Sequence, residues 1–163
     1  MNRRAFLAVM PGIFSSLAQT RAATDFTLPD LEGNIISLSQ FKANVVLLEF
    51  WATWCEPCIA EIPTLNSWQE KYRDRGFKLL AITLESGSAR DVEKQVAKRS
   101  IGYTVLMGND AVSNRYNISG FPTRYLITRD GKIHRRFLGI KGDQREKLVA
   151  EIEREIQLLL ANE

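Results

Sequence analysis

Cys55 and Cys58, the only cysteines of the chain, stand two residues apart in Trp54-Cys55-Glu56-Pro57-Cys58. Such a pair suits a small disulfide clip, half of a metal site, or a redox dithiol whose thiolate attacks other disulfides. A clip closing so short a loop constrains the unfolded chain only weakly. A zinc site needs two more ligands, and the single histidine, His134, falls far along the chain on an expected hairpin. No metal ligand is therefore assigned. A redox dithiol needs surroundings that favour a thiolate, because a free cysteine is mostly protonated at neutral pH. A helix N-terminus supplies them through unpaired N–H groups and a partial positive charge. Cys55, at the mouth of such a helix, is the expected nucleophile. Cys58, one turn in, is the expected resolving thiol. Pro57 fits the first turn, where its missing N–H matters least, and Glu56 sets an acid beside the pair.

The elements around the pair support that placement. Val45 to Trp51 is β-branched, apolar and aromatic with no Gly or Pro, the pattern of a buried strand. From near Pro57 to Arg75 a long helix is expected, ending at Gly76, with Pro63 kinking it by removing a backbone donor. Upstream, Thr27–Asp30 and Ile35–Leu38 flank the turn residues Glu32-Gly33-Asn34 as a small hairpin, and Ser39–Lys42 makes one helical turn. Downstream come a strand at Phe77–Leu84, a helix at Asp91–Arg99 capped by Ser88 or Asp91, and a strand at Tyr103–Met107. A short helical piece at Val112–Tyr116 leads to a tight loop, Ser119-Gly120-Phe121-Pro122. Arg124–Thr128 and Lys132–Leu138 form a hairpin about Asp130-Gly131. Gln144–Leu160 closes the chain as an amphipathic helix with Leu148, Ile152, Ile156 and Leu159 on one face. Strand and helix alternate, then a hairpin and a helix follow, which gives an α/β domain with a mixed central sheet.

With 45% hydrophobic and 25% charged residues, the 163-residue chain has the composition of one folded domain. The net charge of +3 lies in residues 1–22, which hold Arg3, Arg4 and Arg21 and no acid. The rest is formally neutral, which gives no support to nucleic-acid binding. Residues 1–22 read as a cleavable signal peptide: Arg3-Arg4, a mostly apolar run to Ala18, and small residues before a cleavage point after Ala22, with Ala23 as the alternative. Arg3-Arg4-Ala5-Phe6-Leu7 also looks like a twin-arginine motif, so both that route and the general one stand. Either leads to a periplasmic or extracytoplasmic compartment, where a disulfide persists.

The segment Glu49-Phe50-Trp51-Ala52-Thr53-Trp54-Cys55-Glu56-Pro57-Cys58 resembles the active-site segment of the thioredoxin superfamily. Gly120-Phe121-Pro122-Thr123 resembles its cis-proline loop, and Pro63, five residues after Cys58, its kinking proline. The leader, the hairpin and the extra helix and strand around Asp91–Met107 resemble the TlpA/ResA-type branch of exported thiol-disulfide reductases. The resemblance spans about 25–160 and implies a thioredoxin fold with an N-terminal β-hairpin and a helix-strand insertion. It implies a cis Pro122 that pairs with a substrate strand, with Trp54, Glu56, Pro57, Phe121 and Thr123 around the substrate groove. It implies Glu85, at the end of the second strand, as an active-site glutamate. Glu49 interrupts an apolar strand where thioredoxins carry a buried aspartate. Buried there it accepts the Cys58 proton; at a sheet edge it is merely solvated.

The expected function is reduction of disulfides in exported proteins, with the reversible Cys55–Cys58 disulfide as the only cofactor. The implied partners are oxidised exported proteins, with apocytochrome c among the candidates, and a membrane thiol-electron donor; the protein is expected to act as a monomer. A disulfide-introducing oxidase, a peroxiredoxin-like peroxidase and a dithiol metal-binding module are the alternatives. The peroxidase lacks its threonine three residues before the reactive cysteine, where Ala52 stands. The metal module lacks any Met- or His-rich tract.

Overall fold

The computed structural model describes residues 21–139, 142 and 144–161. Most of the expected leader lies outside the described residues. Of its end, Arg21 accepts a backbone hydrogen bond from Ile133, and Ala22 bridges to Lys132.

Among the described residues, seven strands and four helices follow in order: β1 (Thr27–Pro29), β2 (Ile35–Ser37), β3 (Val45–Trp51), α1 (Glu56–Tyr72), β4 (Phe77–Thr83), α2 (Ala89–Lys98), β5 (Thr104–Met107), α3 (Asp110–Arg115), β6 (Thr123–Ile127), β7 (Ile133–Leu138) and α4 (Gln144–Ala161). β1 and β2 form the small antiparallel hairpin, and the other five make one sheet in the order β5-β4-β3-β6-β7. β3 runs parallel to β4 and antiparallel to β6, so the sheet is mixed.

β3 is the central strand, and all seven of its residues are buried. Its alternate side chains feed two cores. Val45, Leu47 and Trp51 join α1, α4 and both cysteines on one face; Val46, Leu48 and Phe50 join the N-terminal hairpin and α3 on the other. Glu49 therefore points into the core that holds the dithiol. Its central position removes the sheet-edge alternative.

Boundaries differ from the expected ones for local reasons. α1 begins at Glu56 with Cys55 as its N-cap, and passes through Pro63. It tightens to a 3₁₀ turn at Arg73–Arg75 before Gly76, whose φ of 81° takes the left-handed turn that releases β4. α2 starts two residues early because Ser88 and Asp91 close a reciprocal capping box around its first turn. On α4 the buried stripe is Leu148, Ile152, Ile156 and Leu160 rather than Leu159, since a four-residue step holds one face throughout.

Candidate active site

α1 takes its first turn from the dithiol itself. Cys55 has an extended backbone (φ −78°, ψ 101°), and its sulfur accepts the amide hydrogen of Cys58 at 3.3 Å. One of the amides that a helix start leaves unpaired, that of Cys58, thus faces the Cys55 sulfur, where it favours a thiolate over a thiol. The two cysteines are joined as a disulfide. Cys58 is 1% exposed and Cys55 4%, so Cys55 is the more accessible sulfur-bearing residue even in this closed state.

Cys55 opens on a groove of about 830 Å³, lined also by Trp54, Pro57, Glu85, Ile118 and Phe121. Trp54 spans it. Its indole N–H donates to the Glu85 carbonyl at 2.8 Å, and its ring meets Phe121 edge-on, 5.8 Å between centroids. The indole remains 59% exposed, an aromatic surface left bare beside a reactive bond. Thr53 donates its amide to Ser86 Oγ, whose hydroxyl donates to the Leu84 carbonyl, so the loop after β4 is fastened to the dithiol segment. On the opposite wall the Phe121–Pro122 peptide is cis.

A charged cluster is sealed in the core. Glu49 faces Arg124 across the β3–β6 ladder, and its Oε1 accepts from Arg124 Nη2 at 2.6 Å and Nε at 3.1 Å. The same guanidinium contacts Glu61 Oε2 on α1. Glu49 and Arg124 are 1% exposed and Glu61 5%. Burial pushes the Glu49 carboxyl above the usual carboxylate range; Arg124 opposes this and Glu61 adds to it. Desolvation alone lowers Arg124, but the two acids outweigh it and hold the guanidinium charged. Burial, and then the Glu49 charge, also raises the Tyr103 hydroxyl.

Known proteins share this architecture. The profile of the AhpC/TSA family matches residues 20–136. The thiol-disulfide oxidoreductase ResA of Bacillus thuringiensis subsp. konkukian is 32% identical over 132 residues, covering 80% of this chain and 74% of that protein. The thioredoxin-like protein YneN of Bacillus subtilis is 33% identical over 138 residues, with coverages of 81% and 79%. Among solved structures, one provisionally named thiol:disulfide interchange protein DsbE, from Chlorobium tepidum, superposes with a TM-score of 0.78 at 33% identity. That match covers 89% of this chain and 99% of the other. The chain belongs to the AhpC/TSA family, as a ResA-type thiol-disulfide oxidoreductase.

Within this AhpC/TSA-family site, Trp54, Cys55, Glu56, Pro57 and Phe121 line one groove with Glu85. Pro122 is buried behind Phe121. Two expected residues sit differently. Thr123 does not flank the groove: it is 1% exposed, and its hydroxyl donates to the Gly120 carbonyl at 2.7 Å, closing the loop from inside. Glu85 lies just past β4, not in it, with φ 49°. Glu85 is exposed at the groove, whereas Glu49 is buried.

Glu61 and Arg124 were missed at the sequence level. A signal existed for Glu61: three residues after Cys58, it shares that residue's face of the helix. Arg124 had none, because one arginine in a strand reads as a surface residue until its neighbours are known.

Gly139 supports the cis-proline loop in this oxidoreductase. It donates its amide to the Pro122 carbonyl at 2.7 Å, and a side chain there would overlap Pro122 Cδ and lie 2.8 Å from Cγ. Gly139→Val is expected to push that loop toward the groove and destabilise the fold by about 1–3 kcal/mol. Urea melts and the KM for a disulfide peptide check this, with KM rising several-fold; an unchanged KM removes Gly139 from the site.

Proposed function

We propose that the protein reduces disulfide bonds in exported proteins, with Cys55 attacking first and Cys58 resolving. The observation that carries this reading is the position of Cys55, at a helix N-cap and open to a groove, with Cys58 behind it. Reduced Cys55 thiolate attacks one sulfur of the substrate disulfide. A mixed disulfide forms, and the first substrate sulfur leaves as a thiolate. Cys58 then attacks Cys55, the second substrate sulfur leaves, and two electrons have passed from protein to substrate. Trp54, Glu56, Pro57 and Phe121 bind the substrate around the dithiol, and the backbone at Pro122 pairs with its extended segment.

Export rests on the signal-like residues 1–22, and the membrane electron donor and an apocytochrome c substrate rest on the resemblance to the ResA-type branch. In this reading the protein works as a monomer, and the Cys55–Cys58 disulfide is its only redox group. Glu49 serves as the proton acceptor, and Glu85 acts at the rim on the substrate side.

The reading is tested by assaying the reduced protein on insulin and a disulfide peptide, and by measuring its reduction potential. A reductase is expected to lie near thioredoxin, about −270 mV; a value near about −120 mV means an oxidase instead. Rapid loss of the thiol on mixing with peroxide means a peroxidase, a chemistry disfavoured by the fully buried Ala52 where threonine is needed.

A further inference from the structure

Arg124 ranks among the largest side chains wholly removed from solvent, and the groove makes no use of it. A lone guanidinium in a dry interior is strongly unfavourable, so its presence has to be understood through the groups that surround it. Those are Glu49 from β3 and Glu61 from α1. The dithiol lies on the same side of the sheet, and Cys58 and Glu61 occupy one face of α1, one turn apart. The core residues that α4 and β7 bury on this side are apolar.

Two acids around one cation make an unbalanced cluster. Fully ionised it carries one negative charge; with one carboxyl protonated it is neutral. A single proton therefore separates its two accessible states. Without the guanidinium, two carboxylates would face each other in low dielectric, and Glu49 would give up its proton only at higher pH. An acid that still holds its proton cannot accept another.

We propose that Arg124 is a positioning residue for the resolving step, keeping the Glu49–Glu61 pair able to take one proton from Cys58. This rests on the reductase reading above. During resolution the Cys58 S–H bond breaks and its proton passes to the carboxylate pair. The Cys58 sulfur bonds to Cys55, and the Cys55–substrate bond breaks. The electron pair leaves on the substrate sulfur, which takes a proton from water. The cluster goes from one negative charge to none, while Arg124 stays charged throughout. It also links the proton acceptor to the substrate loop, since it follows Pro122 and Thr123 directly in the chain.

The test is single-turnover reduction of a disulfide peptide by prereduced protein, acid-quenched so that formation and resolution of the mixed disulfide are timed separately across pH. For Arg124→Met, resolution is expected to slow roughly tenfold at pH 7, with its pH midpoint displaced upward by about one unit. Formation of the mixed disulfide is expected to keep its rate, and Arg124→Lys to restore the midpoint. Should Arg124→Met fold poorly, Arg124→Met with Glu61→Gln removes one buried charge and is expected to show a smaller upward displacement, since Glu49 loses its cation and the repulsion from Glu61 together. An unmoved midpoint in whichever of these folds overturns the proposal. So does an equal slowing of both phases at every pH, which marks a structural role alone. If the wild-type protein forms no mixed disulfide at all, it is the reductase reading that fails.

Discussion

Cys55→Ser is expected to lower disulfide reduction to the uncatalysed level, a loss of about 10³-fold or more, since serine at this position cannot supply a sulfur nucleophile. Cys58→Ala is expected to behave differently: it attacks once and stops. Its product is a one-to-one mixed disulfide on Cys55, stable in non-reducing gels and released by added thiol. The asymmetry comes from the helix start. The Cys55 sulfur is both the N-cap acceptor and the groove-facing atom, whereas Cys58 is sealed behind it at 1% exposure. Mass spectrometry of the trapped complex identifies the attacking residue. Trapping through Cys58 in Cys55→Ser, with none through Cys55 in Cys58→Ala, would reverse the assignment. The Cys58→Ala protein is also the tool for capturing natural substrates from an exported fraction.

The largest stability effect is expected at Arg124. Arg124→Ala strips the cation from two carboxylates that stay buried, and is expected to destabilise the protein by about 3–5 kcal/mol at neutral pH. The pH dependence follows from the direction of the Glu49 shift. Its folded carboxyl is held above its unfolded value, so between those two values the folded state binds more protons than the unfolded one. Stability associated with Glu49 is therefore fully present below the unfolded value and declines as pH rises through the folded one. Removing Arg124 removes the interaction that restrains this shift, so the decline steepens. Urea melts at about pH 5 and about pH 8 should show the smaller deficit at the lower pH. Replacing all three members with neutral groups, Glu49→Gln, Arg124→Met and Glu61→Gln, is expected to recover most of the loss. A deficit equal at both pH values would mean that lost packing, not charge, is responsible.

Much of this protein is legible one residue after another. Val45–Trp51 is a continuous apolar run because both faces of the central strand are covered, and its length and composition show that before any contact is known. Cys55, Glu56 and Pro57 mark a helix start because capping, charge and missing N–H all act within one turn of chain. Asp130-Gly131 fixes the β6–β7 hairpin in the same local way. From these pieces the α/β architecture and the place of the dithiol follow.

What the chain order conceals depends on residues far apart. Glu49 could be read as a buried acid or an edge acid, because strand order, not strand sequence, decides which strand is central. Thr123 could be read as groove-lining, because whether a hydroxyl turns outward or toward the Gly120 carbonyl depends on the fold of the loop. Glu61 and Arg124 meet only because the β3–β6 register sets Arg124 opposite Glu49 and α1 packs its inner face over both. The CEPC dithiol is thus a property of the sequence. The charged cluster behind it exists only in the folded molecule, since a buried charge is tolerable only where partners 12 and 75 positions away from Glu49 are brought against it.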